Sequence, residues 1–131
     1  MSNIDIHHTI KAAASLVPAV HSATLAGASV DTSGFRSAEL VVSTGAIAGS
    51  GLYSVALQES ATTIDGDFTD VVAGDTLGDA LPASLEASTV YRIGYRGSKR
   101  YIRAKITKTS GTSIAASATF ILGHPAVAPV A

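Results

Sequence analysis

Apolar and polar residues alternate along this chain in short runs, the period-two signature of half-buried β-strands. The clearest run, Ser113 to Gly123, places Ile114, Ala116, Ala118, Phe120 and Leu122 on one face. Ser37 to Ser43 sets Ala38, Leu40 and Val42 against Glu39 and Val41, and Leu52 to Glu59 turns Tyr53, Val55 and Leu57 inward. Ala23 to Val30 predicts a further strand, closed by the turn-forming run Asp31-Thr32-Ser33-Gly34, and Phe68 to Val72 a short one. Three glycines within Gly45 to Gly51 predict a loop. Ala73 to Ser88 predicts a longer loop, since Gly and Pro interrupt any periodicity there.

The same alternation runs through Tyr91 to Lys108. Tyr91, Ile93 and Tyr95 share one face of the first half; Ile102, Ala104 and Ile106 share one face of the second. With Gly97-Ser98-Lys99 as a turn, the stretch reads as a β-hairpin whose opposite face displays Arg92, Arg96, Arg103 and Lys105. Burying its apolar face stabilises the fold by several kcal/mol, at about 25 cal/mol per Å². Tyr101 alone is expected to stand exposed.

Short strands at this spacing predict an all-β fold, an antiparallel β-sandwich or jelly roll of about seven to eight strands with extended N- and C-terminal arms. A small barrel is the alternative. The expected organisation is an N-terminal arm or short helix over residues 1–20, a sandwich domain over 21–123 and an extended arm over 124–131. A short helix, if formed, would run from Asp5 to Val17. Pro125 and Pro129 favour an extended C-terminal segment.

Composition adds two points. The 131 residues contain no Cys and no Trp, which excludes disulfides and thiolate metal sites and leaves a core built of small side chains. A thin core of this kind suggests that association supplies part of the stability. No run approaches the roughly 18 apolar residues of a membrane helix. The N-terminal stretch lacks the basic start of a signal peptide and is read as part of the mature chain.

Charge adds a third. Arg92, Arg96, Lys99, Arg100, Arg103, Lys105 and Lys108 make up seven of the nine basic residues. Seven of the ten acidic residues lie between Glu59 and Glu86. The basic block has two leading readings, a solvated face or a dock for the acidic surface of a neighbouring subunit. Nucleic acid is not the expected partner, because the net charge is −1 and the tyrosines face the core.

Candidate chemistry is sparse. There is no nucleophile elbow and no phosphate-binding loop, so the chain is not expected to be an enzyme. His7, His8 and His21 lack a partner at metal-ligand spacing, and His124 stands far along the chain. Asp65, Asp67 and Asp70 form a weak Ca²⁺ candidate within a segment that reads first as a tight turn; otherwise neither metal nor cofactor is expected. The apolar C-terminal residues Pro125, Val127, Pro129 and Val130 join Arg92, Arg96, Arg103 and Lys105 as candidate interface residues. The arm is expected to lie in a groove on another subunit.

Four segments carry a resemblance: Gly34 to Ser60, Asp65 to Val71, Tyr91 to Thr107 and Leu122 to Val130. Together they resemble a family of small structural proteins encoded among the head genes of tailed bacteriophages. The resemblance implies a capsid decoration or cement protein, a β-sandwich that binds the major capsid protein on the outer shell as a homo-oligomer, with a trimer favoured. It implies a virion location after synthesis in the host bacterial cytoplasm. A head-spike, neck or tail component that binds a host glycan is the alternative. No membrane partner is implied.

Overall fold

The computed structural model describes residues 5–127. Two antiparallel sheets pack face to face. The first has strand order β1-β10-β4-β8-β7 and the second β2-β9-β5-β6, with β3 also paired to β9. The strands are β1 (Lys11–His21), β2 (Leu25–Ala26), β3 (Val30–Asp31), β4 (Phe35–Ala48), β5 (Leu52–Ser60), β6 (Thr69–Asp70), β7 (Thr76–Leu77), β8 (Val90–Tyr95), β9 (Tyr101–Ser110) and β10 (Ser113–Pro125).

The pairings are nested. β1 pairs with β10, β2 and β3 with β9, β4 with β8, and β5 with β6. The chain is therefore one long antiparallel ribbon, closed near residue 60 and rolled so that β10 also meets β4 and β9 also meets β5. That is jelly-roll topology, one of the two architectures expected from the residue pattern.

Period-two burial explains why these residues form these strands. Along β10 every second residue from Ile114 to Leu122 is buried, and β4 does the same from Ala38 to Thr44. Small and large residues share one interior: Ala104, Ala116 and Ala118 are buried in the same cluster as the fully buried Tyr53 and Phe120.

Four expectations need correction. Residues 5–17 do not form the short helix. His7–Thr9 makes one 3₁₀ turn and Lys11 onward pairs with β10, because β10 would otherwise leave a ladder of backbone groups unpaired. The glycine-rich stretch after Gly45 is not all loop: β4 runs on to Ala48, and only Gly49 and Ser50, both at positive φ, turn the chain. Ala23 to Val30 is split into β2 and β3. Gly27 sits at the split, where an added Cβ would lie 2.5 Å from Ser15 Oγ and 2.7 Å from Ala104 O.

The fourth correction has the widest consequence. β8 and β9 do not form a hairpin: β8 belongs to the first sheet and β9 to the second. The segment between them crosses from one sheet to the other over the Tyr95 ring. Gly97 serves close approach, since a Cβ there would come within 2.6 Å of ring carbons. The Tyr95 hydroxyl donates to Glu59 Oε1 (2.7 Å) and accepts from the Lys99 N–H (3.0 Å), tying the crossing to β5. Burial first, and then the bond to Glu59, push the Tyr95 phenol well above its ordinary pKa.

The two sheets are also pinned to each other. A register shift between Ala14 and Leu16 places Ser15 against the second sheet. Its hydroxyl donates to Ala28 O (2.7 Å) and accepts from the Ala104 N–H (2.9 Å).

Candidate interaction surfaces

The crossing at residues 96–100 decides the fate of the four basic residues, because outward positions on β8 and β9 point to opposite sides of the sandwich. Arg92 stands on the outer face of the first sheet, its side chain 77% exposed and 3.7 Å from Glu39. Arg96 follows the end of β8, exposed, with its backbone N–H donating to Asp75 O (2.8 Å). Lys105 lies half-buried on the outer face of the second sheet beside Ala26 and Ala56. Arg103 is buried. The structure does not gather these residues into one basic face.

Arg103 is held by the acidic loop that follows β5. Its Nε donates to Gln58 Oε1 (2.9 Å) and a terminal nitrogen donates to Asp65 Oδ1 (2.5 Å). The guanidinium stacks on Phe68, 4.2 Å from the ring centroid. Gln58 Nε2 passes the network on to Asp70 Oδ1 (2.9 Å). Residues 61–68 thereby fold over part of the second sheet, and Phe68 becomes 8% exposed.

The three candidate Ca²⁺ carboxylates are each engaged within the chain. Asp65 accepts from Arg103, Asp67 from the Thr62 hydroxyl (2.6 Å) and Asp70 from Gln58. Among the described residues, no group of three or more His, Cys, Asp or Glu side chains is placed to hold a metal ion. His21 is buried and hydrogen-bonds Ala116 O (3.2 Å), at the opposite end of β1 from His7 and His8. The His8 ring pairs with Asp5.

At the C-terminal end, Pro125 is the last residue of β10, opposite Phe35, and the Ala126 N–H donates to Gly34 O (2.8 Å). Val127 is 79% exposed. Pro129 and Val130 lie outside the described residues. His124 has positive φ and its Nδ1 hydrogen-bonds Ser37 Oγ at 2.8 Å.

The outer face of the first sheet, which the residue pattern does not single out, carries partly accessible residues across β10, β4 and β8. From β10 it shows Ala115, Ser117, Thr119 and Ile121; from β4, Glu39, Val41, Ser43 and Gly45. β8 adds Val90, Arg92 and Gly94, and the exposed Leu77 of β7 packs beside Gly94. Its only charges at these positions are Glu39 and Arg92. Two shallow depressions flank Glu39 and Leu77: one of about 550 Å³ toward Asp79 and Arg92, the other of about 510 Å³ toward Ile10, Gly123 and His124. Missing side chains at Gly94 and Gly123 form part of the second floor. The signal available in the sequence is the outward half of each alternating run, whose residues are mostly small.

No protein-family model matches this chain, and no curated protein matches it. Among solved structures, the chain is similar to one in "Structure of infectious bursal disease virus Gx strain", with 14% sequence identity and a TM-score of 0.45. The match covers 92% of this chain and 35% of the viral one, so this chain spans about a third of that chain's length.

Proposed function

We propose that this chain is a non-enzymatic structural protein of a bacteriophage virion, a decoration protein that binds the major capsid protein on the outer shell and bridges neighbouring capsomers. The observation that carries the proposal is a jelly roll with one broad face of small, nearly uncharged residues, joined to the resemblance borne by residues 34–60, 65–71, 91–107 and 122–130. Such a surface suits repetitive contact. Each contact is weak, and the lattice multiplies it, because subunits bound at several points dissociate far more slowly than any single interface allows. The action is mechanical: expansion or rupture of the shell has to break these contacts first.

The structure changes which residues the proposal uses. Arg103 is occupied inside the chain and leaves the docking set. Arg92 and Lys105 face opposite sides, so one flat partner engages one of them and not both. The C-terminal residues Pro125, Val127, Pro129 and Val130 remain proposed contacts with a neighbouring subunit.

The test is to add the purified protein to capsids that lack it and image them by cryo-electron microscopy at low and high salt. Regular density over the shell is the expected result. Density confined to a vertex or tail, at a handful of copies per particle, would replace the decoration reading with a spike, neck or tail component.

A further inference from the structure

We infer that the outer face of the first sheet is the surface through which two copies of this chain pair, related by a two-fold axis. The inference does not rest on capsid attachment. It rests on four features of the face.

The first is contrast. The chain covers part of the outer side of its second sheet with residues 61–68, anchored by Phe68 on Arg103. The corresponding side of the first sheet carries no such cover among the described residues, although its exposed neighbours Val20 and Val90 are 70% and 66% accessible. An antiparallel sheet that faces water on one side ordinarily turns polar residues outward. Here Ala115, Val41, Val90 and Ile121 stand outward among Ser43, Ser117, Thr119, Glu39 and Arg92.

The second is size. β10 has 13 residues, so it extends about 44 Å at about 3.4 Å per residue. Four strands spaced about 4.8 Å apart give a face on the order of 600–800 Å². A standard protein interface takes about 800 Å² from each partner. The face is large enough for a stable pair, and its short side chains permit the close approach of packed sheets, about 10 Å apart.

The third is charge. Glu39 and Arg92 are diagonal neighbours on β4 and β8, 3.7 Å apart. A two-fold axis running between them, across the line that joins them, sets Glu39 of each copy against Arg92 of the other, so the surface is complementary to itself. No like-charge contact arises.

The fourth concerns the edge. β1 and β7 are the edges of this sheet, and strand addition there would be the competing mode of association; β7 has only two residues to offer. Pro18 lies in β1, and its register is broken twice, between Ala14 and Leu16 and between Leu16 and Ala19. A missing N–H and an irregular ladder both obstruct strand pairing. The face remains.

Sedimentation equilibrium of the full chain tests this. The expected result is twice the chain mass at micromolar concentrations, falling on dilution. Ser117→Arg and Thr119→Lys place charge on the outward side of β10 and are expected to weaken pairing at least tenfold while circular dichroism stays unchanged and melting loses its dependence on protein concentration. Thr107→Arg, on the outer side of β9, is the matched control and is expected to pair like the natural chain.

E39R and R92E give the sharper test: each chain is expected to be monomeric alone, and a one-to-one mixture is expected to pair. A natural chain that stays monomeric at hundreds of micromolar overturns the inference. So does a trimer or dimer whose mass survives Ser117→Arg, or a mixture of E39R and R92E that fails to associate. The shell and a second copy compete for this face. A natural chain that decorates capsids yet stays monomeric in solution overturns this inference and leaves the proposed function standing; a chain that pairs but does not decorate does the reverse.

Discussion

The outer sides of the two sheets began as the same kind of sequence, alternating runs whose second residue is not needed by the core, and the fold treats them differently. On the second sheet the outward positions include Arg103, Gln58 and Asp70, which join in one hydrogen-bonded network under the loop of residues 61–68. On the first sheet they include Ala115, Ser117, Thr119, Val41 and Ser43, whose side chains join no such network among the described residues, and the one ion pair of Glu39 with Arg92. Long polar side chains let a protein cover its own surface, since they reach loop carboxylates and an aromatic ring at once. Short ones leave a flat surface that only another molecule can cover.

This difference makes measurable claims. The largest effect belongs to Arg103. Arg103→Leu removes bonds to Gln58 and Asp65 and the stack on Phe68, and is expected to destabilise the fold by about 2–3 kcal/mol. Hydrogen exchange should then rise in residues 61–68 with little change along β10. Equal loss across both sheets would show that the loop is not a local cover.

Ser15→Ala comes next. It leaves the buried Ala104 N–H without its acceptor, at an expected loss of about 1–2 kcal/mol in chemical denaturation. Because Ser15 joins the sheets, both should loosen together, unlike the response to Arg103→Leu.

Tyr95 gives an alkaline signature. Its folded-state pKa is raised, so the neutral phenol is the form the fold favours. Stability contributed this way is complete below the unfolded value of about 10 and declines as pH rises beyond it, when the unfolded chain ionises first. Tyr95→Phe should be less stable at neutral pH, through loss of the Glu59 bond, yet show a flatter decline above pH 10.

The smallest effect is at Asp31. The Arg100 guanidinium, bonded at 2.9 and 2.8 Å, holds its carboxyl below the usual range. The stabilisation is present above the unfolded value of about 3.9 and lost as pH falls through the lower folded value. Both side chains are substantially exposed, so Asp31→Asn is expected to change stability by only a few tenths of a kcal/mol.

How much of this was legible depends on the range of the interaction involved. Ala38, Leu40, Val42, Tyr53, Val55, Leu57 and the apolar residues of β10 were all identified as inward, and they are buried. Leu85, 2% exposed, was hidden in a stretch without periodicity, because a single residue plugging the core from a loop leaves no repeat to detect. Residue pattern puts the basic residues on one face only if Tyr91 to Lys108 forms a hairpin, and it does not. A Gly-containing turn looks alike in sequence whether the next strand pairs with the last or crosses to the other sheet.

Residue order alone dictated the all-β class and the inward set, since side-chain alternation is a property of each strand's own backbone. The tertiary structure decided which strand lies beside which. That choice sent Arg92 and Lys105 to opposite sides, sank Arg103 beneath Asp65 and Phe68, and left the first sheet's small residues on one continuous face. Pairing partners are chosen by the packing of segments as distant as β1 and β10, whose contacts no local pattern encodes.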